Sequence, residues 1–347
     1  MEIDWVLVGG LTAGALAGFA ARFGRLCTMG AIEDAIIGGD LRRLRAWGIA
    51  LAVAAATTFA LERGGVIDLR TASFAAPRLN IPGLVLGGLM FGLGMSLVGT
   101  CSFGLLVRAG GGDLRAIVTS IVVGMFAVAV TAGALSGPRE LLVAFGTVDL
   151  SHFGGSRLTD MVTLTAGRTA ADIVVALLVA VPVLFAISDR RLWRRPRLVF
   201  SSVVMGFAIV AAWFGSWQAV QSMGLTRPEG LSFVAPTGRA LLQFMTDGLR
   251  GVGFGVWSMA GVVVAALATA LARNDFRWEA FDDAVEMRRH LIGGALMGTG
   301  GVLAGGCTIG VGLTASSLLA VGAPLFLAMV FAGAYLGLRH LLIGQTV

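Results

Sequence analysis

Eight stretches of this chain contain no charged residue: 5–21, 46–61, 79–107, 116–138, 173–188, 198–226, 251–272 and 291–338, the last 48 residues long. A soluble domain carries roughly a quarter charged residues, whereas this chain has 13 % charged against 56 % hydrophobic. A helix needs ~20 mostly apolar residues to cross a bilayer. The pattern therefore points to an all-α polytopic membrane protein and argues against a disordered chain or a water-soluble enzyme. The run 291–338 is too long for one crossing and fits two joined by a short turn within the membrane. Nine crossings are expected, near 5–21, 46–61, 82–100, 115–136, 170–187, 199–217, 251–272, 290–304 and 322–342. Short re-entrant helices are expected at 28–39, 102–109 and 308–319. The whole chain, 1–347, reads as a single transmembrane domain.

Orientation follows from arginine, because cytoplasmic loops near helix ends collect basic residues. All 26 basic residues are arginine, and the net charge is +6. The densest clusters are Arg42, Arg43 and Arg45, then Arg190, Arg191, Arg194, Arg195 and Arg197, then Arg273, Arg277, Arg288 and Arg289. Nine crossings place all three on one side if the N-terminus is outside and the C-terminus inside. Outside loops are then expected over 62–81, 137–169 and 218–250. The basic residues are not interleaved with aromatics, which excludes a nucleic-acid surface. The acidic start, Met1-Glu2-Ile3-Asp4, lacks the basic n-region of a signal peptide, so the first apolar run is expected to stay.

Three cysteines, Cys27, Cys101 and Cys307, form no Cys-x-x-Cys pair, and no histidine lies beside any of them. Neither a metal nor a haem site has ligand spacing to rest on, and no cofactor is expected. Superposing Cys101 on Cys307 brings Gly87–Gly104 onto Gly293–Gly310, and all six glycines of the first segment meet a glycine of the second. The second helix is the fifth crossing after the first, so the two run in opposite directions. That arrangement is an inverted repeat, about 5–136 and about 199–342, whose sites lie where broken helices meet near the midplane. A weaker pair relates Ala20–Gly24 to Ala211–Gly215, with Gln218 in the position of Cys27.

Each cysteine stands at the end of an apolar run and precedes a hydroxyl residue. Gly99, Gly305 and Gly306 let the backbone leave helical geometry, with Thr100 beside the first. Ser102 and Thr308 suit the N-cap of a following short helix. A helix start offers free N–H groups and partial positive charge, a seat for an anion. The plainer reading takes each cysteine as apolar filler and the glycine spacings as helix-packing faces, which suits Gly87, Gly88, Gly293 and Gly294. Arg22 and Arg25 before Cys27 read as ion-pair partners of Glu33 and Asp34, or as anion attractors with Arg108. Arg239, Asp247 and Arg250 are placed near an outer entrance, and Trp213, Trp217 and Trp257 read as packing or interfacial aromatics.

The segments Arg25-Leu26-Cys27-Thr28-Met29-Gly30-Ala31, Gly99-Thr100-Cys101-Ser102-Phe103-Gly104 with Arg108-Ala109-Gly110, and Gly305-Gly306-Cys307-Thr308-Ile309-Gly310-Val311-Gly312-Leu313-Thr314 resemble the YeeE/YedE family of bacterial membrane proteins. The resemblance covers nearly the whole chain. It implies an hourglass fold of inverted repeats in the inner membrane and uptake of thiosulfate or a related sulfur anion past Cys101, then Cys27 and Cys307. Some relatives carry a fused TusA-type sulfurtransferase, which this chain lacks, so a separate cytoplasmic partner of that kind is expected. A selenium compound or another small solute is the alternative cargo. A membrane thiol oxidoreductase would want a closely spaced redox pair, which is absent. A scaffold with incidental cysteines remains the third alternative.

Overall fold

The computed structural model describes residues 4–223, 225–246 and 251–344. The first half contains α1 (Trp5–Gly24), α2 (Thr28–Ile36), α3 (Arg42–Arg63), α4 (Ile81–Val98), α5 (Ser102–Ala109), α6 (Leu114–Ala132), α7 (Ser136–Gly146) and α8 (Leu158–Ala166). Then come α9 (Arg168–Ile187), α10 (Arg190–Trp193), α11 (Pro196–Met223), α12 (Ala235–Thr246), α13 (Phe254–Ala272), α14 (Ala284–Leu303) and α15 (Gly322–Gly344). A π-helical turn, Gly310–Ala315, joins the last two. Among the described residues, strand structure is confined to β1 (Arg78–Asn80) and β2 (Thr147–Asp149), paired antiparallel.

Among the described residues eight helices, rather than nine, are long and apolar enough to cross a membrane. The expected crossing at 290–304 is the C-terminal part of α14, whose first turns carry Glu286, Arg288 and Arg289. These charges lower the hydropathy of a helix that is otherwise long enough to span and packs along α4 and α6. The stretches expected as outside loops contain α7, α8, α12 and the strand pair, because short amphipathic segments carry no long charge-free run. The three short helices fall where expected, the third as the π-helical turn.

Helix starts follow ordinary capping. The Asp4 side chain accepts from the Val6 and Leu7 N–H groups, Asn80 from Gly83, and Asp113 from Ala116. The core depends on small residues, since lipid offers helices no hydrophobic drive to associate and close backbone approach must supply it. The buried face of α1 is Gly9, Gly10, Ala13, Gly14, Ala17, Gly18, Ala20 and Ala21, packed against α11 and α13. A Cβ on Gly14 would collide with the Ser258 carbonyl oxygen. Helices α4 and α14 are equally close. A Cβ on Gly87 would lie 2.5 Å from the Gly300 oxygen, and one on Gly300 would lie 2.6 Å from that of Gly87. Gly94 and Gly293 exchange the same contact at 2.5 and 2.7 Å.

At the end holding the α3–α4 connection, Arg157 is buried and donates to both carboxylate oxygens of Glu62, at 2.8 and 2.6 Å. Its guanidinium also lies over the Phe59 ring, 5.7 Å from the centroid. This pair ties the loop before α8 to the end of α3. Trp213 is fully buried and donates to the Ser317 hydroxyl at 3.2 Å, so it is a core residue rather than an interfacial one.

A candidate anion site where three helix starts meet

The three cysteines share one local geometry. Each begins a Cys-[Thr/Ser]-x-Gly segment: Cys27 to Gly30, Cys101 to Gly104, Cys307 to Gly310. Each cysteine carbonyl accepts the first helical N–H, from Ala31, Leu105 and Val311 at 3.0, 2.9 and 2.8 Å. The N–H of Gly30 donates to the Cys27 Sγ at 3.5 Å, and that of Gly310 to the Cys307 Sγ at 3.4 Å. The Cys101 side chain accepts no such bond. Cys27 and Cys101 hold the N-cap positions of α2 and α5, and Ile309 that of the π-helical turn. That corrects the expectation for Ser102, which sits just inside α5, and for Thr308, which precedes the cap of the turn. The i to i+3 spacing of cysteine and glycine was visible in the sequence, but sulfur caps rarely enough that the adjacent hydroxyls were favoured.

The three starts converge. Thr308, Cys27 and Cys307 are all neighbours of the Cys101 thiol. Thr100 lies between two segments: its Oγ1 is 3.7 Å from the Cys27 Sγ and fills the place a Gly104 side chain would occupy. Cys101 and Cys307 are buried and Cys27 is partly exposed, and no disulfide joins them. Gly99 ends α4 at φ 76° and Gly305 follows α14 at φ 80°, both left-handed, with open space where a side chain would stand. Gly306 is buried against Val311 and Ser232. The Ser102 and Thr308 hydroxyls are buried and have no hydrogen-bond partner. Buried polar groups are nearly always paired, so two orphans beside converging thiols mark a place for a polar ligand.

Two cavities approach this cluster. One, about 610 Å³, is lined by Arg78, Arg227, Glu229, Ser232 and Arg239 and reaches Gly305 and Val311, next to Cys307. Arg239 faces Glu229 at 3.6 Å; Asp247 and Arg250 lie outside the described residues. The other, about 280 Å³, touches Met29 and Gly99 and is bordered by Glu33, Arg108, Arg115 and Glu286. Arg108 donates to the Gly99 carbonyl at 3.2 Å, securing the end of α4. Sequence reasoning missed Arg115, which pairs with Asp113 at 3.1 Å, Glu286 at 3.0 Å and Glu279. Glu279 and Glu286 are distant in the chain and carry no local signature. Arg22 donates to the Asp275 carbonyl at 3.0 Å and packs on Gly111, while Asp34 pairs with Arg43 at 3.3 Å. The ion pairs expected of Arg22 and Arg25 with Glu33 and Asp34 are not formed: Arg22 and Asp34 take other partners, and Arg25 is the left-handed cap of α1 at φ 52°.

Residues 23–336 match the profile of the family described as Sulphur transport. The chain belongs to that family. Curated relatives agree. The chain is 28 % identical over 330 residues to the thiosulfate transporter TsuA of Escherichia coli, covering 90 % of this chain and 88 % of the relative. It is 27 % identical over 330 residues to the thiosulfate transporter TsuA of Spirochaeta thermophila, covering 93 % and 94 %. Membership of the sulphur-transport family, with eight helices fit to span a bilayer, makes this a multi-pass membrane protein of sulfur-compound transport. The three cysteine segments all lie inside the matched region.

Proposed function

We propose that the chain takes up thiosulfate across the bacterial inner membrane through the site where the three helix starts meet. Thiosulfate is a small dianion with one soft terminal sulfur, and its hydration shell must be replaced inside a dry protein. Free N–H groups at the starts of α2, α5 and the π-helical turn suit its oxygens. A thiol that accepts from the N–H three residues on keeps its own proton to offer to the ligand. The contacts are weak and multiple, as passage requires. The thiols act as neutral donors, since a thiolate would repel a dianion. The single observation that carries this reading is the pair of unpartnered hydroxyls, Ser102 and Thr308, buried between Cys101 and Cys307.

The cavities suggest the order of contact. The larger one ends beside Cys307 and the smaller beside Gly99 and Met29, so the route runs Cys307, Cys101, Cys27 rather than beginning at Cys101. The arginine-rich end faces the cytoplasm, with the N-terminus outside, and a TusA-like sulfurtransferase would receive the cargo there. Repeats of opposite direction account for the glycine contacts. The offset of 206 residues that carries Cys101 onto Cys307 also carries Gly87 onto Gly293 and Gly94 onto Gly300. The contact between Gly87 and Gly300 thereby becomes the one between Gly293 and Gly94, as a two-fold axis requires. Labelled thiosulfate uptake into vesicles, with sulfate and selenite as competitors, tests the function. Cys101→Ala is expected to abolish uptake at unchanged protein level; undiminished uptake would refute the role of the thiol.

A further inference from the structure

The same end of the molecule holds a cavity of about 540 Å³ that the transport route does not use, formed by the end of α1 and the starts of α3 and α11. Five arginines line it: Arg25, Arg43, Arg195, Arg197 and Arg273, and its wall carries no carboxylate. Two of the five are engaged. Arg43 reaches Asp34 at 3.3 Å, and Arg273 donates to the Phe23 carbonyl at 2.9 Å and lies 3.9 Å from Asp275. Arg25, Arg195 and Arg197 have no carboxylate within 4.0 Å among the described residues. Helix α11, 28 residues long, begins at Pro196 between two of these arginines, so the positive end of its dipole adds to their field. An aromatic pair borders the cavity. Phe23 lines it and meets Phe200 edge-to-face at 6.1 Å, and Phe200 is 52 % exposed on a face that the bilayer must cover.

We propose that this cavity holds the phosphodiester of an anionic phospholipid, with Arg195 and Arg197 on the phosphate and the Phe23–Phe200 edge against the glycerol and upper acyl chain. Basic pockets between helix ends on the cytoplasmic side are the sequence-readable form of such recognition. A free oxyanion would be served by the arginines but has no use for the aromatic edge. The inference depends on neither the cysteine site nor the identity of the cargo.

The test follows unfolding temperature and lipid retention in native mass spectrometry. Purified full-length protein is titrated with phosphatidylglycerol, with phosphatidylcholine of equal chain length, and with inorganic phosphate. Phosphatidylglycerol is expected to raise the unfolding temperature saturably and to be retained, with the other two inert. Arg195→Gln with Arg197→Gln should weaken the half-saturation about thirtyfold while leaving the lipid-free unfolding temperature near that of wild type. An equal response in the double variant overturns the proposal. A shift from inorganic phosphate as large as that from phosphatidylglycerol also overturns it, assigning the site to a free oxyanion. Should the double variant fail to fold, added salt on the wild type decides the matter: screening must weaken the phosphatidylglycerol response, and an unscreened response sinks the electrostatic site.

Discussion

A buried hydroxyl without a partner destabilises a fold by about 1–3 kcal/mol; six occur among the described residues, and two of them, Ser102 and Thr308, flank the cysteines. If their partner is the transported anion, removing them has opposite effects on stability and on function. Ser102→Ala and Thr308→Ala should hold or raise the unfolding temperature in detergent while lowering uptake at least several-fold; uptake at the wild-type rate would make them incidental. Asp160 behaves differently. Burial raises its pKa above the ordinary carboxylate value despite the Arg157 guanidinium beside it. A carboxyl raised in the folded state favours folding when protonated, at low pH, and opposes it as the pH climbs through the folded value. Asp160→Asn should therefore raise the unfolding temperature at pH 7.5 and leave it unchanged near pH 3.5; equal shifts at both would remove charge as the cause. The Asp40 carboxyl is held down at about 2, chiefly by its hydrogen bond from Arg42, so that contact persists throughout the neutral range. The cysteines, their flanking glycines and the hydroxyls could be read from the sequence because they sit in repeated local patterns. The Asp275 carbonyl that Arg22 meets, the Glu279 and Glu286 of Arg115 and the Glu62 of Arg157 could not, because each lies across the fold.

Among the elements, two classes of glycine separate cleanly. Gly14 is pressed on the Ser258 carbonyl with no room for a methyl, whereas Gly99 has open space and a left-handed backbone. Gly14→Ala must push α1 off α13, and overpacking of this kind costs about 1–3 kcal/mol or more. Gly99→Ala pays only the left-handed penalty, roughly 1–2 kcal/mol, yet it stiffens the break before Cys101. The first variant should lose folded protein on a size-exclusion column, and the second should stay folded with reduced uptake. The reverse outcome would mean that these glycines were assigned to the wrong duties. Most helices were legible from charge-free length, since a membrane demands it of each crossing. The exception is α14, whose charged first turns shorten its apolar part. Helices α7, α8 and α12 escaped because outside the bilayer a short helix needs no such run.

For the molecule as a whole, the arginine clusters gather at one end: Arg25, Arg43, Arg195, Arg197 and Arg273 line one cavity there. A reporter active only in the cytoplasm, fused after Val347, should be active, and one inserted in the 137–169 segment should be silent; the opposite pair of results would invert the proposed topology. Between the two cavities that approach from either end, Thr100, Cys101, Ser102, Cys307 and Thr308 are each at most 4 % exposed. A bacterial membrane stores energy as a difference in proton concentration, and any continuous water file would discharge it. On the proposed route these five buried side chains, three of them hydroxyls, would form a stopper that leaves that store intact while the protein rests. Each passage along that route would part the stopper around its cargo and let it reseal behind, so the pace at which two short helices and a π-helical turn shift would bound the rate of uptake.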